Sequence, residues 1–399
     1  MNFSRRGFLK AVGAGAGAMV GTRLGGFGLE GIARAATPEP TSVVCIFLNG
    51  GINAIFTGAD AFTNTAFGVT ANNVTNMGGV VVDNSLASVI PAALRTKVAS
   101  VGIRHGITDH GNAERSIFLS GNQSAPLMLA DAIGGSGAIK AAVMGGNSLP
   151  DGVQPNPVNG VSLQPINDMR ATIEAITGAQ NAPNIADRAG IAKGLTAAQL
   201  MSKNGVAKSP LSLASYDPGI KAAVDTVSKP VQVFSAAEFN TAYALNNATA
   251  VNSFRSRMAG AELMVRSGAG FVFIQDGGWD THGDSDGNTV RNMMSQRIAP
   301  ALGTFLTRML TGQGATDRNV IVAILGDFHR SLPGSDHQAN LAALVMGKGF
   351  KNATTGKTDN RVAQPAGTPN IPGFWQLLQT AAKTSTQAFA GANPHAVLA

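Results

Sequence analysis

Five apolar runs constrain the fold of this chain more than any other feature of its sequence. Val43–Leu48 and Val320–Leu325 are apolar throughout, and similar runs occur at Val98–Ile103, Phe271–Gln275 and Leu341–Met346. Strands buried on both faces of a sheet have continuous apolar sequences of this kind. The runs therefore predict a central, largely parallel sheet that is covered on both faces.

Amphipathic segments between the runs supply the covering layers. Asn288–Leu310 and Ala237–Arg266 have apolar residues at the spacing of long helices that bury one face. Strands that alternate with helices predict an α/β protein with three layers, α/β/α. Residues 147–235 contain eight prolines, which predicts an inserted cap of loops and short helices outside the sheet. We expect one domain over residues 37–399.

The N-terminal segment has the pattern of an export signal. Ser4–Lys10 is a twin-arginine signature, Ala11–Leu29 is a weakly apolar Gly/Ala stretch, and Ala33–Ala35 offers a cleavage site. Arg23 and the many glycines disfavour a membrane-spanning helix. We expect residues 1–36 to be a signal peptide that engages the twin-arginine translocase. The mature protein would then be periplasmic or secreted, without a stable membrane span.

The charge balance argues against a nucleic-acid partner, and the cysteine content excludes an intrachain disulfide. The whole chain has 30 basic residues (Lys and Arg) and 23 acidic residues (Asp and Glu). The first 36 residues contain five of the basic residues and one of the acidic ones. The remaining 25 basic and 22 acidic residues give a net charge of +3. So balanced a domain, without basic clusters, is not predicted to bind nucleic acid. Cys45 is the only cysteine, so no intrachain disulfide can form. This agrees with folding in a reducing cytoplasm before export.

Carboxylates and histidines follow the apolar runs. Asp280 and His282 follow the run Phe271–Gln275, and Asp327 and His329 follow the run Val320–Leu325. His337 comes shortly after them. Ligand sites form at the carboxyl ends of parallel strands, and residues i and i+2 of an extended chain point to the same side. The pairs therefore predict a site for two divalent ions. Mixed oxygen and nitrogen ligands suit zinc, manganese or iron better than calcium. Turn caps or purely structural histidines are the alternative.

Four short motifs carry a resemblance to a known family. They are Gly50-Gly51-Ile52-Asn53, Trp279-Asp280-Thr281-His282-Gly283, Gly326-Asp327-Phe328-His329-Arg330 and Gly334-Ser335-Asp336-His337. In this order they resemble the bacterial "domain of unknown function 1501" proteins. Those proteins are exported by the twin-arginine pathway and belong to the alkaline-phosphatase-like, or sulfatase-like, superfamily. The resemblance covers about Val43 to Gly349.

The resemblance implies an alkaline-phosphatase-like fold and a chemistry. It implies a two-metal site that cleaves small anionic phosphate or sulfate esters, with Asn53 as a further metal ligand. It also implies a covalent intermediate at a helix N-terminus, where free N–H groups favour an anion. The corresponding segment here leads into a helix, where His110 and Ser116 are the candidate catalytic residues and Thr108 is a third.

Two departures from the family pattern leave the activity open. Asn53 stands where the family has Asp, which removes a negative charge from the implied site. Asp327 and His329 stand where the family has Glu and Gly, which restores an aspartate–histidine pair. We therefore carry two hypotheses. The first is an exported metal-dependent hydrolase of phosphate or sulfate esters, and the second is a non-catalytic exported binding or assembly protein that retains the fold.

Overall fold

The structure, a computed structural model, describes residues 40–58, 69–135, 137–150, 155–181, 234–246, 249–311, 318–331, 334–355, 370–384, 386–389 and 397–399, with a few residues between 190 and 200. The strands are β1 Thr41–Leu48, β2 Ile52–Asn53, β3 Val74–Asn76, β4 Val81–Asp83, β5 Val98–Arg104, β6 Leu119–Ser120, β7 Gln123–Ser124, β8 Ala141–Met144, β9 Leu163–Ile166, β10 Phe271–Asp276, β11 Asn319–Gly326, β12 His329–Arg330, β13 His337–Gln338, β14 Asn340–Met346 and β15 Ala353–Thr355. The helices are α1 Asn84–Ala87, α2 His110–Phe118, α3 Ala125–Ile133, α4 Met169–Asn181, α5 Ala236–Tyr243, α6 Phe254–Arg266, α7 Asn288–Met293, α8 Ala299–Leu310 and α9 Ile371–Ala381. A π-helical turn, Met294–Ile298, joins α7 to α8, and 3₁₀ turns occur at Ala54–Phe56 and Ala92–Lys97.

Among the described residues, the main sheet has eight strands in the order β15-β5-β14-β11-β1-β10-β8-β9. All neighbouring strands are parallel except at β14, which runs antiparallel to both β11 and β5. A largely parallel sheet is thus confirmed. The direction of β14 was not predicted, and it matters because β14 begins at the edge where β1, β5, β10 and β11 end.

Two hydrophobic cores lie on opposite faces of the sheet. Along β1, Val44 and Ile46 belong to one core, whereas Val43 and Cys45 belong to the other. Helices α6 and α8 cover the first face, and α3 and α9 cover the second. Because each strand buries both of its faces, its sequence is apolar throughout. The chain is therefore an α/β protein.

Both long predicted helices are interrupted. Asn288–Leu310 is helical along its length but contains the π turn Met294–Ile298. Ala237–Arg266 is divided into α5 and α6: Ala244 takes a left-handed conformation at the end of α5, and Ser253 caps the start of α6. The apolar spacing did not predict these breaks, since backbone conformation and capping set them.

We predicted that the proline-rich segment 147–235 lies outside the sheet, and this is wrong for part of the segment. β9 lies within it and extends the sheet as a parallel neighbour of β8. Pro165 is tolerated in β9 because an edge strand leaves one side of its backbone unpaired. Residues 182–189 and 201–233 of the predicted cap, and the predicted signal peptide, lie outside the described residues. None of the helices within the described part of the chain has the length and apolar content for a membrane span.

Candidate metal centre

The loops at the carboxyl edge of the sheet converge on one place. β12 pairs with β2 on one side and β13 on the other, and this small sheet sits beyond the end of β11. The turn after β1 needs its two glycines. A Cβ on Gly50 would lie 2.3 Å from the backbone N of Asp280, and one on Gly51 would lie 2.9 Å from Nε of Arg330. The double glycine therefore lets the Asp280 loop and Arg330 pack on β1.

His110 enters the site from the first residue of α2. Asp109 caps this helix by accepting from the backbone N–H of Asn112 at 2.9 Å. Nδ1 of His110 donates to Oδ2 of the buried Asp327. A carboxylate can only accept, so Nδ1 carries a proton, and Nε2 is the ring nitrogen that a metal ion can bind. Nε2 lies 3.7 Å from Oδ2 of Asp280 and has no hydrogen-bond partner among the described residues.

His337 presents its Nε2 to the same place. Its Nδ1 donates to the backbone carbonyl of Thr108 at 2.7 Å, which fixes the lone pair on Nε2. Nη2 of Arg330 lies 3.3 Å from this nitrogen and donates to it. Burial lowers the pKa of His337, and the Arg330 charge acts in the same direction. A neutral imidazole with a directed lone pair results.

Asp280 is the carboxylate of the site. Its Oδ1 accepts from Nη2 of Arg330 and lies 3.2 Å from Nε2 of His282. Burial raises the pKa of Asp280, but the charge of Arg330, with smaller contributions from His110 and His282, outweighs it and lowers the pKa below its usual value. Asp280 is therefore ionised at neutral pH.

The ligand atoms of His110, Asp280 and His337 all lie within 4.8 Å of one another. Metal-binding histidines usually donate their second ring N–H to a carboxylate or a backbone carbonyl. Both arrangements are present here, through Asp327 and Thr108. The group can therefore hold a metal ion.

His282 lies at the exposed rim of this group. Its Nε2 is 3.0 Å from Nε2 of His337, and its Nδ1 is 3.8 Å from Oδ1 of Asp336. The loop that carries it is tied to the His337 loop by two contacts. Gly283 N–H donates to the Gly334 carbonyl at 3.1 Å, and the hydroxyls of Thr281 and Ser335 are 2.9 Å apart.

Three other predicted ligands lie around the group rather than within it. Asp327 binds His110 with Oδ2, and its Oδ1 is buried without a partner in the described chain. Nε2 of His329 accepts from the backbone N–H of Ala342 at 3.0 Å, and burial lowers the pKa of His329 to about 3. Oδ1 of Asn53 caps the turn after β2 by accepting from Ile55 N–H at 3.2 Å. Oδ1 of Asn53 and Nε2 of His329 are thus occupied by hydrogen bonds from backbone N–H groups. Nδ1 of His329 is buried without a partner in the described chain.

The two predicted catalytic residues occupy different places. His110 was predicted as catalytic rather than as a ligand, and its Nε2 lies with the ligand atoms of Asp280 and His337. Ser116 lies six residues further along α2, about 9 Å along the helix axis, and its hydroxyl makes no hydrogen bond in the described part of the chain. Thr108 meets the site through its backbone carbonyl.

Arg330 is the site residue that we did not predict. It is fully buried, and besides Asp280 and His337 it donates to the backbone carbonyls of Gly50 and Ser335. It thereby connects its own motif to the other three. The sequence did offer one indication of its role, since Arg330 ends the third motif and directly follows the predicted ligand His329.

These features define an α/β protein with a histidine–aspartate cluster at the carboxyl edge of its sheet. The chain belongs to the family described as protein of unknown function (DUF1501), whose sequence model matches residues 165–373. The match includes Asp280, His282, Asp327, His329 and His337, whereas His110 precedes it. Neither a curated protein nor a solved structure matches the chain.

Proposed function

We propose that this protein is an exported, metal-dependent hydrolase of phosphate or sulfate esters. The observation that carries the proposal is the convergence of His110, Asp280 and His337, whose ligand atoms lie within 4.8 Å of one another. The proposal places one divalent ion at this group, with His282 within reach as a fourth ligand. Two or three imidazoles and one carboxylate suit zinc or manganese better than calcium.

The residues present fit such an ion. Nε2 of His110 is buried and lacks a hydrogen-bond partner among the described residues, which is unusual for a polar atom unless it has a binding or catalytic role. When bound, a divalent ion would polarise an ester oxygen and activate water. His110 and His337 would hold it in fixed orientations, because Asp327 and Thr108 bind their second nitrogens.

The charges at the site favour an anionic substrate. Asp280, Asp327 and Arg330 together carry a net charge of −1, which a divalent ion would change to +1. Asp336 adds a negative charge, but its side chain is 73% exposed and solvent screens it. A small anionic ester would therefore be attracted to the loaded site.

A second ion would require atoms that now lie behind the first group. Oδ1 of Asp327 is buried without a partner in the described chain, but Nδ1 of His329 carries the ring proton, because Nε2 accepts from the backbone N–H of Ala342. The metal-to-protein ratio of the purified protein tests this directly: one ion per chain supports the proposal as stated, and two would extend it.

The decisive experiment combines metal content with activity. The purified protein is titrated with ZnCl₂ and with MnCl₂, and hydrolysis of p-nitrophenyl phosphate and p-nitrophenyl sulfate is measured in each state. We expect binding and ester hydrolysis, both lost in His337→Ala and retained in His395→Ala, which removes a histidine outside the proposed ligand set. Failure of the wild type to bind either metal would refute the proposal.

Export through the twin-arginine pathway and an alkaline-phosphatase-like fold are parts of the same proposal. The sequence Ser4–Lys10 supports export, and ligand loops at the carboxyl edge of a sheet with helices on both faces support the fold assignment. Replacing both Arg5 and Arg6 by Lys should retain the precursor in the cytoplasm, as cell fractionation would detect.

A non-catalytic binding or assembly protein is the second candidate. It is favoured by Asn53, which caps a turn instead of offering a carboxylate, and by the distance of Ser116 from His110. Tight metal binding without hydrolysis of either ester, or a partner protein that co-purifies, would support this candidate over the hydrolase.

A further inference from the structure

Asn49 holds both ends of the segment that leads into Asp280. Its backbone N–H donates to the carbonyl of Asp276 at 2.8 Å, and its carbonyl accepts from the N–H of Trp279 at 3.1 Å. The turn from Asp276 to Trp279 is thus fastened to the end of β1. Since Asp280 follows at once, the position of its carboxylate depends on this attachment.

The side chain of Asn49 reaches the helix that carries His110. Its Nδ2 donates to Oε1 of Glu114. Glu114 lies four residues after His110 in α2, so the two side chains share one face of the helix. Only 7% of Glu114 is exposed. Burying a carboxylate is costly unless hydrogen bonds replace those lost to water. The buried position of Glu114 therefore indicates a structural role for its bond with Asn49.

Other contacts of α2 lead to different loops. His110 binds Asp327 at the end of β11, and the Thr108 carbonyl just before the helix binds His337. The bond between Asn49 and Glu114 adds a link to the loop after β10. The three loops that supply His110, Asp280 and His337 are thereby joined through α2.

We infer that Asn49 and Glu114 form a positioning pair that fixes the separation between His110 and Asp280. The inference rests on the proposed metal site. Nε2 of His110 and Oδ2 of Asp280 are 3.7 Å apart. A tetrahedral zinc ion with bonds near 2.0–2.2 Å holds its ligand atoms about 3.3–3.5 Å apart. The site is nearly formed before the ion binds, and a shift of α2 against the β10 loop would open it.

A double-mutant cycle on metal affinity tests the pair. Asn49→Ala and Glu114→Ala should each weaken Zn²⁺ binding about 10- to 100-fold, as replacements behind metal ligands do. The double variant should be no weaker than the worse single variant, because both replacements remove the same Asn49–Glu114 hydrogen bond. Glu114→Gln should restore affinity, since its amide oxygen still accepts from Nδ2. Asn112→Ala, an exposed position on the same helix, is the control.

Hydrogen exchange measured without metal gives a second readout. In Asn49→Ala, exchange should accelerate both in the first turn of α2 and in residues 277–283, while Asn112→Ala leaves residues 277–283 unchanged. Additive losses of affinity, no rescue by Glu114→Gln, or exchange that accelerates in neither segment would overturn the inference. If the wild type bound no metal, the proposed function would fail, and the exchange data would still decide whether the two residues couple the segments.

Discussion

Arg330 donates from Nη2 to Oδ1 of Asp280, so a fully buried guanidinium holds a half-exposed carboxylate in place. Asp280 keeps Oδ2 directed toward Nε2 of His110. The planar guanidinium supplies several donors in a fixed geometry, and here they reach Asp280, His337 and two backbone carbonyls. The orientation of the carboxylate is therefore set from inside the protein, before any ligand arrives.

Arg330→Lys should lower both stability and metal affinity although it keeps the charge. An ammonium cannot reach Gly50, Ser335 and Asp280 together, and each buried carbonyl left without a donor costs about 1–3 kcal/mol. We expect a loss of roughly 2 kcal/mol or more in urea unfolding, and Zn²⁺ binding about 10-fold weaker. Arg255→Lys, at an exposed position of α6, should change neither quantity. Equal behaviour of the two variants would contradict the role of Arg330.

Gly50→Ala should damage the site through the backbone of Asp280. The added Cβ would lie 2.3 Å from the Asp280 N, and φ at Gly50 is +111°. Left-handed strain and steric overlap together should cost about 2–5 kcal/mol. Gly106→Ala separates the two effects, since φ there is +69° but nothing lies within 4 Å of the new atom. It should cost about 1–2 kcal/mol. Thermal unfolding of both variants decides whether the overlap matters.

Much of the sheet was predictable because its strands are buried on both faces. The runs Val43–Leu48 and Val320–Leu325 fall within β1 and β11, whose observed ends lie at most two residues away. The direction of Leu341–Met346 was not predictable, since an antiparallel strand in the interior of a sheet is as apolar as a parallel one. Its hydrogen-bonding partners, which the sequence does not specify, determine its direction.

The site was predictable in its residue types but less so in its geometry. Oδ1 of Asp280 lies 3.8 Å from Nε2 of His337 and 3.2 Å from Nε2 of His282, so these predicted ligands are close together. Asp327 and His329 were expected to face one ion because they are two residues apart. Strand alternation holds only while the chain stays extended, and here a bend at Asp327 and Phe328 separates β11 from β12. Asp327 consequently faces His110, and His329 faces β14.

A buried charge cluster far from the candidate metal centre should carry a large share of the stability. Glu262 has no exposed surface; it accepts from Arg308 at 2.7–3.0 Å and from the Tyr243 hydroxyl at 2.7 Å. Nη2 of Arg266 forms an ion pair with its Oε1 at 2.8 Å. Burial and the Glu262 charge raise the pKa of Tyr243 well above its usual value, so it stays a neutral donor. The cluster joins α5, α6 and α8.

Glu262→Gln should destabilise the protein by about 3–5 kcal/mol, because two arginines lose their buried counter-charge. The matched control is Glu238→Gln. Glu238 contacts the same two arginines, but its side chain is 42% exposed, so its loss should cost less than about 1 kcal/mol. Free energies of unfolding in urea give both values. A Glu262→Gln loss as small as the control would show that the cluster is not a major source of stability.

Asp168 should make stability fall at acid pH. It precedes α4 and caps it by accepting from the backbone N–H of Ala171 at 2.8 Å, and it also accepts from the Thr249 hydroxyl at 2.8 Å. The bond from Ala171 is the main reason why the pKa of Asp168 lies below its usual value. The ionised form is therefore favoured by folding. Its contribution is complete above the unfolded-state pKa, about 3.9, and is lost as the pH falls through the lower folded-state pKa.

Two replacements of Asp168 separate the cap from the charge. Asp168→Ala removes both and should cost about 1 kcal/mol at pH 7, while Asp168→Asn keeps a capping oxygen that does not titrate. Urea unfolding at pH 7, 5 and 3 should show the wild type losing its advantage over Asp168→Ala only in the most acid sample. Asp168→Asn should differ from Asp168→Ala by the same amount at every pH, because neither side chain titrates. If the wild-type advantage over Asp168→Ala stayed constant down to pH 3, the carboxylate charge would make no contribution, and the helix would depend on the hydrogen bond alone.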